Sequence, residues 1–79
     1  MERNNMIEVF KTDVRDAENA KLLVDRIHRQ FDSYRCNFDL ADCDNILRVL
    51  CTRDTVEAAE IIEFLRSHGF TAEVLPDEL

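Results

Sequence analysis

The spacing of apolar positions alternates between strand and helix periods along the chain, and this predicts six elements. Residues 7–11 form a short β-type run. After it, apolar residues recur three and four positions apart, the spacing of one helix face. They are Ala17, Ala20, Leu23, Val24, Ile27 and Phe31. We therefore predict a helix over residues 14–31 with Asp13 as its N-cap.

Two strands joined by a polar turn are predicted next. Apolar and polar side chains alternate over residues 34–40, as in a half-buried strand. Residues 46–51 are the next predicted strand, with one face of Leu47, Val49 and Cys51 and another of Ile46, Arg48 and Leu50. If Phe38 lies opposite Val49, then Cys36 lies opposite Cys51 on the core side, within disulfide range. The alternative is that both cysteines are reduced, buried thiols, which is how free cysteines most often occur.

A second helix is predicted after Asp54, because Asp54 and Glu57 have the spacing of a capping box. Gly69 and Phe70 fit the left-handed and apolar positions of a Schellman ending. Residues 71–75 then form the last predicted strand. The buried stripe of this helix is predicted to be Ala58, Ile61, Ile62 and Leu65.

The element order β-α-β-β-α-β predicts one α+β domain over residues 1–79, a ferredoxin-like sandwich of two split βαβ units. Right-handed crossovers place both helices on one face of a four-stranded antiparallel sheet with strand order 4-1-3-2. Hydrophobic residues make up 46% of the 79 residues, and there is only one Gly and one Pro. This composition favours a folded domain over a linker or a disordered tail.

The net charge of −7 changes the expected partners. It argues against nucleic acid, which is bound through basic patches, and against an anionic membrane surface. No apolar run approaches the ~20 residues of a membrane span. No signal-peptide pattern precedes the first strand either. We therefore expect a cytoplasmic protein with reduced cysteines.

The face of the sheet without helices is the predicted binding surface. If Ile7 and Val9 face the helices, then Glu8 and Phe10 point outward. Apolar patches rimmed by charge often mark partner surfaces. We therefore predict a non-catalytic binding or regulatory module that self-associates or binds a protein partner. The predicted site comprises Phe10, Ile46, Leu50 and Leu75 as anchors, with Glu8 and Arg48 paired across the central strands.

The run of residues 7–14, with the element order and the length, resembles the heavy-metal-associated domain of copper chaperones and metal-pumping ATPases. That family carries M-x-C-x-x-C between its first strand and first helix. Thr12, Val14 and Ala17 stand at the three motif positions here, and neither Val nor Ala supplies a thiolate. The resemblance thus implies the fold without the family's metal transfer. Segments 9–12 and 38–49 are similar to those of small uncharacterised bacterial proteins, which implies a bacterial source and no function.

Metal handling through other ligands is the alternative function. The candidate ligands are Cys36, Cys43, Cys51, His28 and His68. The cysteines lack C-x-x-C spacing, and Cys43 lies among the aspartates of the hairpin turn, which should suppress its thiolate. No convergent acid, base and nucleophile can be named. We therefore expect neither an enzyme nor a cofactor.

Overall fold

The computed structural model describes residues 6–40 and 45–75 and contains six elements in the predicted order. The strands form one antiparallel sheet in the order β2-β3-β1-β4, which confirms the ferredoxin-like α+β class. The elements are β1 Ile7–Thr12, α1 Ala17–Gln30, β2 Tyr34–Asp39, β3 Ile46–Cys51, α2 Ala58–Ser67 and β4 Ala72–Val74.

The hydrophobic core lies between one face of the sheet and both helices. Phe10 of β1 and its direct partner Leu47 of β3 are fully buried there, with Val49 beside them. From the helices, the buried residues of this core are Ala20, Leu23, Ile27, Ile61, Phe64 and Leu65. Among residues 6–40 and 45–75, no helix side chain of this core lies on the opposite face of the sheet, which we call the open face.

The facing of β1 is the reverse of the prediction. Phe10 is fully buried, whereas Ile7 is 58% exposed. Directly opposed residues project to the same face of the sheet, and Leu47, the partner of Phe10, faces the core. Phe10 therefore faces the core as well. The prediction that Phe10 faces outward is therefore wrong. The physical reason is that β1 carries apolar residues on both faces, and the larger aromatic side chain gains more from burial.

The register of the β2–β3 hairpin also differs from the prediction. Phe38 pairs with Leu47, and Cys36 pairs with Val49. The residue opposite Cys51 is Tyr34, so the predicted pairing of Cys36 with Cys51 is wrong, and both are free thiols. A shift of two residues keeps every side chain on its predicted face. Alternation therefore cannot detect it, and loop geometry sets the register instead.

The N-terminus of α1 lies three residues after the predicted start. Asp16, not Asp13, is the N-cap, and its carboxylate accepts the Glu18 N–H at 3.0 Å. Asp13 instead accepts a hydrogen bond from the Thr71 N–H at 2.8 Å. Val14 is fully buried in the loop before the helix. Its burial and the bond from Thr71 hold these residues outside the helix.

The start of α2 lacks the predicted capping box. The helix begins at Ala58, and the Glu57 side chain makes no capping bond. The hydroxyl of Tyr34 accepts the Glu57 N–H at 2.8 Å. The Asp54 N–H donates to the Cys51 sulfur at 3.2 Å. Tertiary partners from the sheet thus satisfy N–H groups that the sequence pattern assigned to local side chains.

The C-terminus of α2 confirms the predicted Schellman ending. Gly69 has a φ of +89°, in the left-handed region that favours glycine. The Phe70 N–H donates to the Leu65 carbonyl at 2.9 Å, and the Gly69 N–H donates to the Arg66 carbonyl at 3.0 Å. These are the two bonds that define the motif. Of the predicted buried stripe of α2, Ile61 and Leu65 are buried, whereas Ala58 and Ile62 are only partly buried. Phe64, which the prediction omits, is buried as well.

Candidate functional site

The open face of the sheet carries side chains from all four strands, arranged in three rows by the register. The first row is Arg35, Leu50 and Ile7; the second is Asn37, Arg48, Val9 and Leu75; the third is Asp39, Ile46, Lys11 and Glu73. Leu75 belongs to the second row because its N–H donates to the Val9 carbonyl at 2.9 Å.

Four side chains of this face form an apolar patch: Ile7, Val9, Leu50 and Leu75. Ile7 and Leu50 lie directly opposite each other on the two central strands and are 58% and 39% exposed. A shallow depression of about 310 Å³ lies over Ile7 and Leu50 and extends toward Arg35. These two exposed aliphatic side chains lie directly opposite each other in the middle of the sheet, where a partner could cover both.

Four of the six predicted site residues lie on the open face. Leu50 and Arg48 are exposed there, and Leu75 is partly buried. Ile46 has the same facing but is only 6% exposed, so it offers little surface to a partner. Whether any of these residues binds a partner stays a prediction.

The other two predicted site residues, Phe10 and Glu8, are not on the open face. Phe10 lies in the core, and Glu8 lies opposite Val49, whose side chain faces the helices. The predicted pairing of Glu8 with Arg48 is therefore wrong. The carboxylate next to Arg48 belongs to Asp39, at 3.8 Å from its guanidinium.

The residues that the prediction missed are those of β1 with odd numbers: Ile7, Val9 and Lys11. A signal for them was present in the sequence. Lys11 lies within the strand, and a lysine there is far easier to place on an open face than against helices. Because strand residues alternate, an outward Lys11 also turns Ile7 and Val9 outward.

The charges of the open face differ in balance from those of the chain as a whole. The face carries three cations, Lys11, Arg35 and Arg48, and two anions, Asp39 and Glu73, although the chain has a net charge of −7. The Arg48–Asp39 pair is solvent-exposed and so contributes less than about 1 kcal/mol to stability. These charges therefore matter more for partner choice than for the fold.

The loop between β1 and α1, where the heavy-metal-associated family holds its metal, is closed by hydrogen bonds. The Thr12 hydroxyl donates to the Asn45 carbonyl at 2.7 Å and accepts the Val14 N–H at 3.2 Å. Val14 itself is fully buried, and Asp13 is bonded to the backbone of Thr71. The donor groups of this loop are the Thr12 hydroxyl and the carboxylates of Asp13 and Asp16, all of them already engaged, and such a set does not fit a soft metal ion.

His28 and Cys36 form the closest imidazole–thiol pair in the described chain. His28 Nε2 accepts the Cys36 N–H at 3.1 Å, and the Cys36 sulfur lies 3.8 Å from the same nitrogen. Accepting this bond requires an unprotonated Nε2, so the neutral His28 ring carries its proton on Nδ1. Burial raises the pKa of the Cys36 thiol to about 12. The thiol thus stays protonated at neutral pH and is not an activated nucleophile.

The pair also falls short of a metal centre. A structural zinc site takes four ligands, and this pair supplies two. Within residues 6–40 and 45–75, no group of three or more His, Cys, Asp or Glu side chains could hold a metal ion. The candidate ligand Cys43 lies outside the described residues.

Cys51 has a different environment and is more deeply buried than Cys36. Burial raises its pKa, while the N–H groups of Arg53 and Asp54 and the hydroxyl of Ser33 lower it, and the net pKa is below that of an ordinary thiol. Its side chain is nevertheless only 2% exposed. A substrate could not reach the sulfur, so its hydrogen bonds serve to order the turn after β3.

A concavity of about 850 Å³ lies on the other side of the molecule, between the two helices. Its floor is the Phe64 ring, which is 4.5 Å from the His68 ring and 6.0 Å from the Phe31 ring, measured between centroids. His68 Nδ1 is 2.9 Å from the Phe64 carbonyl and donates to it, which satisfies a carbonyl group of the last turn of α2. The polar residues that line the rest of this concavity are Gln30, Glu60, Glu63, Arg66 and Ser67. The Arg66 guanidinium lies 2.6 Å from the Glu63 carboxylate.

The burial of Cys36 predicts a loss of stability in alkali. Because folding raises its pKa from 9.0 to about 12, its contribution is complete below pH 9 and is lost as the pH rises toward 12. Between pH 8 and pH 10 the loss should be about 1 kcal/mol. Urea unfolding of the wild type and of Cys36→Ala at both pH values measures it. The wild type should lose about 1 kcal/mol more than the variant, and equal losses would contradict this prediction.

Comparisons of the chain with protein-family models, with curated proteins and with solved structures find no match. Among the described residues, neither helix has the length and apolar composition needed to cross a bilayer. Similarity thus assigns no family and no function, and the side chains of the open face are the remaining guide.

Proposed function

We propose that this protein is a non-catalytic binding module that self-associates through the open face of its sheet. The direct pairing of two exposed aliphatic side chains, Ile7 and Leu50, supports this proposal above all else. Val9 and Leu75 extend the same apolar surface. Covering apolar area contributes about 25 cal/mol per Å², which drives association.

The polar groups of the face suit binding better than catalysis. In the part of the chain that the structure describes, they comprise two arginines, a lysine, an asparagine and two carboxylates, with no thiol or imidazole. The carboxylates of Asp39 and Glu73 lie on opposite edge strands, roughly 14 Å apart at a strand spacing of about 4.8 Å. The paired catalytic carboxylates of glycosidases lie about 5–9.5 Å apart. Arranged as they are, these groups can set the orientation of a partner.

The size of the face bears on the strength of association. A sheet of four short strands presents on the order of 350 Å², from its strand spacing and rise. Stable protein interfaces cover about 800 Å² per partner. We therefore expect a weak, reversible dimer with a dissociation constant in the micromolar range or above. Such a dimer can exchange with other partners, as a regulatory module requires.

Leu50→Glu is the test of this proposal, and Leu22→Glu is its matched control. Leu50 is 39% exposed on the open face, and Leu22 is 45% exposed on α1, on the other side of the molecule. In sedimentation equilibrium, the wild type should associate with increasing concentration. Leu50→Glu should raise the dissociation constant at least tenfold, since a buried carboxylate is costly, and Leu22→Glu should leave it unchanged.

Two outcomes of this experiment would overturn the proposal. One is a wild type that remains monomeric at millimolar concentration. The other is a Leu50→Glu variant that associates as strongly as the Leu22→Glu control. Both leucines are exposed, so both variants should fold, and circular dichroism verifies this before the sedimentation data are compared.

A further inference from the structure

We infer that the open face binds a small organic acid, whose carboxylate is held by Arg35, Asn37 and Arg48 and whose aliphatic chain lies on Leu50 and Ile7. The site is the shallow depression over these two apolar side chains. This inference adds a ligand to the proposed module, and the site itself does not require self-association. It follows from the side chains that line the depression, from their order in the rows of the face and from their charge.

The charged side chains that line the depression are both cations, Arg35 and Arg48. Asn37 is two residues from Arg35 along β2 and directly opposite Arg48 of β3, so the three side chains form one polar corner. Of the residues that the structure describes, none that lines the depression carries a carboxylate. The lining thus has the opposite sign to the chain, whose net charge is −7. Charge complementarity therefore favours an anion as the occupant.

Both guanidinium groups keep N–H donors for such an anion. Arg35 donates to the carbonyls of Asp32 and Tyr34 at 3.2 and 3.1 Å, and both bonds use Nη1. Its Nε and Nη2 atoms keep three N–H groups, and the two bonds hold the guanidinium in place before a ligand arrives. Arg48 lies 3.8 Å from Asp39, which is beyond hydrogen-bond distance, so its N–H groups are available as well.

The balance of charge favours a carboxylate over a phosphate. Asp39 offsets one of the two cations, because it lies 3.8 Å from Arg48. One positive charge is then left for the ligand, and a carboxylate carries one negative charge. Its two oxygens can also accept two parallel N–H bonds from one guanidinium. A phosphate monoester carries about −1.5 to −2 at neutral pH, more than this corner offsets.

The apolar side of the depression determines the rest of the ligand. Leu50 lies directly opposite Arg35 on one neighbouring strand and directly opposite Ile7 on the other. From Arg35 across Leu50 to Ile7 the row measures roughly 10 Å, at two strand spacings, which suits an aliphatic chain of about eight carbons. The depression has a volume of about 310 Å³. Ligand pockets measure about 300–1,000 Å³, so the occupant belongs to the small end of that range.

Titration with octanoate tests the site, at a protein concentration at which the wild type sediments as a monomer. The amide resonances of Arg35, Asn37, Arg48 and Leu50 should shift in NMR spectra with a dissociation constant of about 1 mM or below, as a ligand of this size allows. Acetate lacks the chain and octylammonium has the opposite charge. Each should therefore shift these amides with at least tenfold weaker affinity.

Arg48→Gln and Lys11→Gln form a matched pair of variants. Each removes one positive charge from the open face, but Lys11 lies four residues from Ile7 along β1 and outside the lining of the depression. Arg48→Gln should raise the dissociation constant of octanoate at least fivefold. Lys11→Gln should leave it within about twofold, since exposed charges more than about 8 Å apart are screened at 0.15 M salt. Leu50→Ala should weaken octanoate at least threefold and leave acetate unchanged.

Three results would each contradict the site: no saturable shift of these amides with octanoate, equal affinity for octylammonium, or equal weakening by the two charge variants. Self-association is judged by a separate measurement. Both the ligand and a second copy cover Leu50, so they should exclude each other. Octanoate at a concentration equal to its dissociation constant should then raise the dissociation constant of the dimer about fourfold. A dimer that bound octanoate leaves unchanged would overturn self-association through the open face but not the ligand site.

Discussion

Replacing Phe10 with alanine should lower the free energy of unfolding by about 3–5 kcal/mol. The Phe10 side chain is fully buried and lies directly opposite Leu47, at the centre of the core. Its removal deletes a large apolar surface and leaves a cavity that short strands cannot close. Domains of this size have a total stability of about 5–15 kcal/mol, so much of the fold's margin would be lost.

Ile7→Ala is the matched control for Phe10→Ala. Ile7 lies on the same strand but on the open face, 58% exposed, so its truncation should cost less than about 1 kcal/mol. Urea unfolding of both variants at neutral pH measures the difference. If Ile7→Ala were the more destabilising of the two, β1 would have to face the other way, and the assignment of the open face would fail with it.

The contrast between β1 and β3 shows which part of the sheet could be predicted from sequence. Alternate residues of β3 form two sets, one for each face of the sheet, and Arg48 belongs to one of them. The other set, with Leu47 and Val49, is therefore expected to face the core, as it does. In β1, Ile7 and Val9 form one apolar set and Phe10 stands in the other. Hydrophobicity alone does not rank those sets. The size of the aromatic ring and the position of Lys11 decide between them.

The ends of the helices show a second limit of sequence patterns. The Schellman ending at Gly69 depends on local backbone geometry and could be predicted. The N-terminus of α2 could not, because the group that accepts the Glu57 N–H is the hydroxyl of Tyr34, which lies on another element. Such a partner is known only once β2 and α2 are packed, and local spacing favours the nearer carboxylate of Asp54 instead.

The same distinction applies to the candidate site. Leu50 and Leu75 could be placed on the open face because each lies two residues after a charged residue of its strand, Arg48 or Glu73. The partner of Arg48 could not, since a diagonal pair with Asp39 depends on the hairpin register. A register shift of two residues keeps each side chain on the same face of the sheet but gives it a different cross-strand neighbour. Charge pairs on the face therefore need coordinates, and so do the apolar residues that β1 contributes, Ile7 and Val9.

Thr12→Val should lower the free energy of unfolding by about 2 kcal/mol, although it keeps the shape of the side chain. The Thr12 hydroxyl joins two segments: it donates to the Asn45 carbonyl at 2.7 Å and accepts the buried Val14 N–H at 3.2 Å. Valine removes both bonds. The Asn45 carbonyl keeps a bond from the Thr12 N–H at 3.2 Å, so the cost falls chiefly on the Val14 N–H.

Thr12→Ser separates the hydroxyl from the methyl group. Serine keeps both bonds and loses one buried methyl, which should cost about 1 kcal/mol. Urea unfolding should therefore rank the wild type first, Thr12→Ser second and Thr12→Val last. A valine variant at least as stable as the serine variant would mean that the hydroxyl does not hold this loop. In that case the closed β1–α1 loop would owe its conformation to the burial of Val14 alone.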